Sequence, residues 1–97
     1  MPDAEPAAVA REGDRLVFRG PLLRDAVAGL WRAALPQLGG ARALDLAAVS
    51  RVDSAGVALL AELATRLGDD VTVDGAPQGL AELRAAYRLG PALAFAH

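Results

Sequence analysis

Chemistry in this 97-residue chain concentrates on one hydroxyl residue at the mouth of a helix. The segment Val49-Ser50-Arg51-Val52-Asp53-Ser54-Ala55-Gly56 follows the short apolar run Ala43-Leu44-Asp45-Leu46 and precedes residues that repeat at helical spacing. A helix N-terminus presents unpaired N–H groups and about half a unit of positive charge. Ser54 placed there can cap the helix, or accept a phosphoryl group whose charge the dipole stabilises. Gly56 permits close approach of another backbone. An ordinary N-cap has the same appearance: Asp-Ser ahead of an apolar-periodic run contributes about 1 kcal/mol and needs no further role.

Little else in the sequence is reactive. Histidine occurs once, as His97 at the end of the chain where backbone usually frays, and cysteine is absent. A Ser-His-Asp triad, a thiolate nucleophile, a disulfide framework and a Cys/His zinc site therefore cannot be assembled. A carboxylate enzyme would need Asp45, Asp53 and Ser54 to converge in a cleft beside a base of suitable pKa, and no such base is in view. Asp69-Asp70 reads as a turn, because further oxygen ligands at metal-binding spacing are missing. The chain is thus expected to be no enzyme and to use no catalytic residue, metal or cofactor.

Composition narrows the partners. The formal net charge is −2, and the ten basic residues, all arginine, are scattered rather than clustered, which disfavours nucleic acid. Hydrophobic residues make up 54% and charged residues 23%, enough for one buried core. Met1 to Arg11 lacks the basic and apolar regions of a secretory leader, and no apolar run approaches the roughly 20 residues of a membrane span. A cytoplasmic protein is expected, reaching a membrane only through a partner that crosses it.

The elements that must position Ser54 follow from periodicity. Residues 1–8 read as a flexible arm and 9–97 as a single domain. Val9–Arg11 and Leu16–Arg19 form a hairpin around Glu12-Gly13-Asp14, Gly13 supplying a positive φ. Leu22–Leu38 reads as a helix, ending near Pro36, with Trp31 in or near the core. Ala43–Leu46 is a buried central strand, Ala47–Asp53 a loop, and Ser54–Leu67 a helix facing inward through Gly56, Leu59, Leu60, Leu63, Ala64 and Leu67. Val71–Val73 is a strand, Pro77–Arg88 a third helix with Leu80, Leu83 and Tyr87 inward, and Leu93–Phe95 a candidate last strand. Arg84 and Arg88 are assigned to a solvated face. The order implies an α/β fold: a mixed sheet of about four strands with helices packed on it and an N-terminal β-hairpin.

The stretch Leu44-Asp45-Leu46, followed by Val49 to Leu60 with its Asp53-Ser54-Ala55-Gly56 core, resembles the signature of the STAS domain family. That family includes anti-sigma-factor antagonists and a small subunit of the bacterial phospholipid-transport (Mla) ABC system. Val-Ser-Arg-Val-Asp ahead of the hydroxyl residue, Val71-Thr72-Val73-Asp74-Gly75, and Leu83 to Leu89 are similar to the transport branch. The resemblance implies a non-catalytic accessory subunit that binds and regulates the transporter's ATPase subunit. Its contact residues would be Arg51, Asp53, Ser54, Ala55, Gly56, Val57, Ala58 and Ala61, placing the protein at the inner membrane through its partner. The alternative is an anti-sigma factor antagonist, with Ser54 as the phosphosite of an anti-sigma factor kinase. Family members phosphorylated in that way resemble one another in a Gly-Glu-Leu-Asp segment. Here that place reads Gly20-Pro21-Leu22-Leu23, so both acids are missing.

Helical geometry adds a reading independent of the family. At 100° per residue Ser54, Ala58, Ala61 and Thr65 fall together opposite the leucines, flanked by Glu62 and Arg66. A small-residue, hydroxyl-topped stripe suits a close-packed partner, although alanine is also simply the best helix former.

Overall fold

The computed structural model describes residues 6–68 and 71–89. Four strands, β1 (Ala8–Glu12), β2 (Arg15–Arg19), β3 (Ala43–Ala48) and β4 (Thr72–Asp74), lie in spatial order β1-β2-β3-β4. β1 and β2 are an antiparallel hairpin, while β3 runs parallel to both β2 and β4. Three helices, α1 (Arg24–Ala34), α2 (Ser54–Leu67) and α3 (Leu80–Ala86), complete the α/β architecture with its mixed sheet.

The alternation of the strands divides the sheet into two chemically different faces. Leu16 and Phe18 of β2, with Leu44 and Leu46 of β3, are almost fully buried in one core with Leu30 and Ala34 of α1 and Leu59, Leu60 and Leu63 of α2. On the other face Arg15 bridges two strands, its Nη2 lying 3.3 Å from Asp45 and 2.6 Å from Asp74. Asp45 also accepts the Ala47 N–H at 3.0 Å. The first edge is closed locally: Gln37 accepts the Arg11 N–H at 2.8 Å, and the Arg11 guanidinium donates to the Gln37 and Gly39 carbonyls.

Helix boundaries differ from the periodic reading in two places. α1 starts at Arg24 rather than Leu22, because Leu22 still pairs in parallel with Val52. It gives way at Leu35–Gln37 to a 3₁₀ turn with Pro36 in its first residues. Pro36 has no N–H to continue an α-helical ladder. α3 spans Leu80–Ala86 rather than Pro77–Arg88: Gly79, at φ 93, stands ahead of it and Arg88 adopts a left-handed backbone at φ 57 after it. Tyr87, assigned inward on a longer helix, is therefore 46% exposed. Arg84, assigned to a solvated face, is half-buried. Trp31 packs against the core edge with the Arg66 guanidinium 5.0 Å from its ring centre, a cation–π contact joining α1 to α2. The strand read at Leu93–Phe95, the turn at Asp69-Asp70 and His97 lie outside the described residues.

Candidate functional site

α2 begins where the sequence places it. Asp53, in extended backbone, is its N-cap, and the Asp53 Oδ1 accepts the Gly56 N–H at 2.9 Å. The other oxygen reaches a different helix: Oδ2 accepts the Arg24 N–H at 2.9 Å. Arg24 is the first residue of α1, and its own N-cap, Leu23, has no side-chain oxygen to offer. One carboxylate thus caps two helices and ties their starts together. Partial burial pushes the Asp53 carboxyl up. The donors from Gly56, Arg24 and Ala55, helped by the Arg24 charge, outweigh that effect and hold it below the usual carboxylate range.

The loop carrying Asp53 is gripped from both sides. Leu22 N–H donates to the Arg51 carbonyl at 2.9 Å, Asp53 N–H to the Leu22 carbonyl at 3.3 Å, and Val52 N–H to the Gln78 carbonyl at 3.0 Å. Bridges Leu22↔Val52 and Arg51↔Gln78 make the loop a short extension of the sheet. Gly56 lies directly against the Leu22 backbone, so the close approach that a glycine allows is made by the chain's own segment ahead of α1.

The residues of the candidate contact set separate by depth. Arg51, Ser54 and Ala58 are exposed, Asp53 and Ala55 half-buried, and Gly56, Val57 and Ala61 buried. Ala61 was expected on an open stripe and is instead 7% exposed. α2 lies between α1 and the chain around α3, so more than the leucine side of it is covered. Val57, 1% exposed, belongs to the core. Thr65 is exposed, with its hydroxyl turned back onto the Ala61 carbonyl at 3.0 Å. What remains at the surface is a shallow groove of about 300 Å³, with Ser54, Ala55 and Ala58 on one side and Tyr87 and Leu89 on the other. Arg24 stands at its end. Neither Arg24 nor Tyr87 was legible as a site residue, because α1 and the turn after α3 meet α2 only in three dimensions.

Asp45 and Asp53, which an enzyme would need together, have separate structural engagements: Asp45 pairs with Arg15, and both Asp53 oxygens accept backbone N–H groups. Among the described residues, no three His, Cys, Asp or Glu side chains are grouped to hold a metal. None of the described helices is long and apolar enough to cross a membrane.

Residues 7–93 match the family model described as "Mlab, STAS domain". The chain belongs to the STAS domain family. It is 36% identical over 80 residues to "Intermembrane phospholipid transport system binding protein MlaB" of Escherichia coli (strain K12), covering 79% of this chain and 82% of that protein. The protein of the same name from Shigella flexneri matches with the same identity and coverage. A solved structure described as "Crystal Structure Analysis of Mglu" is 31% identical with a TM-score of 0.49, over 74% of this chain and 19% of that one. In this STAS domain the missing acids of the Gly20–Leu23 segment have a structural counterpart. Leu23 occupies the α1 N-cap without a cap hydrogen bond, and Asp53 serves from the neighbouring helix.

Proposed function

We propose that this STAS domain is a non-catalytic accessory subunit of a phospholipid-transport ABC transporter, binding and regulating the ATPase subunit. The observation that carries this reading is the face at the start of α2. Ser54 and Ala58 lie exposed beside an apolar groove, on a frame whose loop is hydrogen-bonded from both flanks. A preformed surface of small side chains offers close approach at low ordering cost. The names of the similar proteins, binding proteins of an intermembrane phospholipid transport system, support the same assignment. Asp53 supports a non-catalytic role, since a carboxylate with both oxygens capping helices is poorly placed to act as a base.

In this reading Arg51, Ser54, Ala55 and Ala58 touch the ATPase, while Asp53, Gly56, Val57 and Ala61 shape the surface from beneath. The domain sits on the cytoplasmic side of the inner membrane through its partner, and stabilises or activates an ATPase without hydrolysing anything itself. Ser54→Glu tests it. A carboxylate in the first turn of α2 favours the helix, so folding is retained. The bulk and charge at the contact centre are expected to weaken capture of the ATPase subunit at least about tenfold. Unchanged capture by the folded variant removes Ser54 from the interface.

One observation favours a second reading: the Ser54 hydroxyl is exposed at a helix N-terminus, open to a kinase. Against it, the Gly20–Leu23 segment supplies no carboxylate. Incubation with a partner anti-sigma kinase and ATP is expected to leave the intact mass unchanged. Stoichiometric addition of one phosphoryl group, lost in Ser54→Ala, would instead establish the antagonist reading.

A further inference from the structure

We propose that the groove beside Ser54 receives an acidic protein surface, an apolar ridge flanked by carboxylates that meet Arg24, Arg51 and Arg88. The inference rests on the groove being the docking face and adds the chemistry of what docks there.

The chain carries a formal charge of −2, yet among the described residues the one charged side chain lining this groove is an arginine. Arg24 lines it beside Ser54. Arg51 is exposed three residues before Ser54. Arg88 is exposed immediately after the Tyr87 wall. None of the three makes an ion pair among the described residues, whereas Arg15, Arg19 and Arg66 each have a carboxylate.

Five of the eight acids among the described residues have partners elsewhere, while Asp14, Asp25 and Glu82 make no ion pair among those residues and do not line the groove. Asp45 and Asp74 answer Arg15 and Glu12 answers Arg19 on the far sheet face, Glu62 answers Arg66, and Asp53 is turned onto backbone. Asp25 lines a separate cleft between α1 and β1. Arg32 and Arg42 also lack ion pairs among the described residues. Arg32 lines that same α1–β1 cleft and Arg42 a cleft at the far end of α2, so neither lines the groove.

Placement argues in the same direction. A cation at the first residue of α1 opposes the helix dipole, so helix stability does not account for Arg24. An apolar centre with a charged, solvated rim is the anatomy of a protein interface. Rim charges of one sign speed encounter with a partner of the other, and salt weakens the effect.

The test measures association of the full chain with the purified ATPase subunit of its own organism's phospholipid transporter, at low and high salt. Arg24→Glu/Arg88→Glu is the rim variant, Arg32→Glu/Arg42→Glu the control, and thermal melts confirm folding of both. The rim variant is expected to associate about tenfold more slowly at low salt and to lose most of the salt dependence, with the control near wild type. Wild-type kinetics in the rim variant, while Ser54→Glu still abolishes binding, overturns the acidic partner and leaves the docking face standing. Absence of wild-type binding overturns both. Rim-dependent binding to anionic phospholipid vesicles without the ATPase would assign these arginines to lipid headgroups and overturn the inference as well.

Discussion

Gly56→Ala is expected to destabilise the domain by about 3 kcal/mol, at the upper end of what overpacking costs. In most helices the same change helps by up to about 1 kcal/mol, because alanine restricts the unfolded chain and favours helix. Here the added Cβ would overlap the Leu22 carbonyl oxygen and lie 3.0 Å from the Leu22 carbonyl carbon. Those are backbone atoms, held in place by the Leu22–Arg51 and Asp53–Leu22 hydrogen bonds, so no flexible side chain can swing aside. Relief would require α2 to move off the loop, which breaks the Asp53 caps as well. Gly29 in α1 is the matched control: a Cβ there meets nothing within 4 Å, and Gly29→Ala should raise stability slightly. Urea unfolding of the two variants decides the matter. A midpoint for Gly56→Ala at or above wild type would mean that α2 is not held against Leu22 as described.

Asp53→Ala should cost about 2 kcal/mol, roughly twice an ordinary N-cap, because both α1 and α2 lose a cap. Asp53→Asn should cost about half as much. Asparagine caps well, but its single acceptor oxygen can serve either Gly56 or Arg24, and its amide N–H₂ then faces a donor. The pH dependence separates the charge from the geometry. The Asp53 carboxyl is held below its ordinary value in the folded protein, so its contribution is fully present above the unfolded-state pKa of about 3.9. It is lost as pH falls through the lower folded-state value. The stability difference between wild type and Asp53→Asn should therefore be constant from neutral pH to about pH 5 and shrink under acid. A difference that stays constant down to the acid limit would show that the Asp53 charge plays no part in the caps.

Much of the architecture is legible from local chemistry. The bounds of α2, Ser54 to Leu67, follow from an Asp cap, an apolar period of three and four, and Gly68 at the exit. The hairpin β1–β2 follows from the glycine turn around Gly13 between short extended runs, and β3 from a run too apolar to be a surface loop. The helix ends that failed did so where local pattern competes with pairing. Leu22 continues an apolar period but is claimed by Val52, and Tyr87 continues one but is already the C-cap of α3, just ahead of the left-handed Arg88. The chemistry of the site was partly legible. Ser54 at a helix N-terminus needs only neighbours in sequence, whereas the groove beside it needs Tyr87 and Leu89, which belong to another part of the chain.

The sequence by itself determined the element types and the hydroxyl poised at the start of α2, because these depend on residue identity and short-range spacing. Tertiary structure alone decided which neighbours those residues meet. Asp53 reaches Arg24 across 29 positions, and Gly56 is pressed on Leu22. Ala61 sinks beneath the surface while Ala58 stays on it, and Arg24, without an ion pair among the described residues, lines the groove while Asp45 and Asp74 pair with Arg15. The physical reason is that helical and strand periods define faces, but what covers a face is set by packing between distant segments. In this domain that packing turns an ordinary capping aspartate into the joint between two helices.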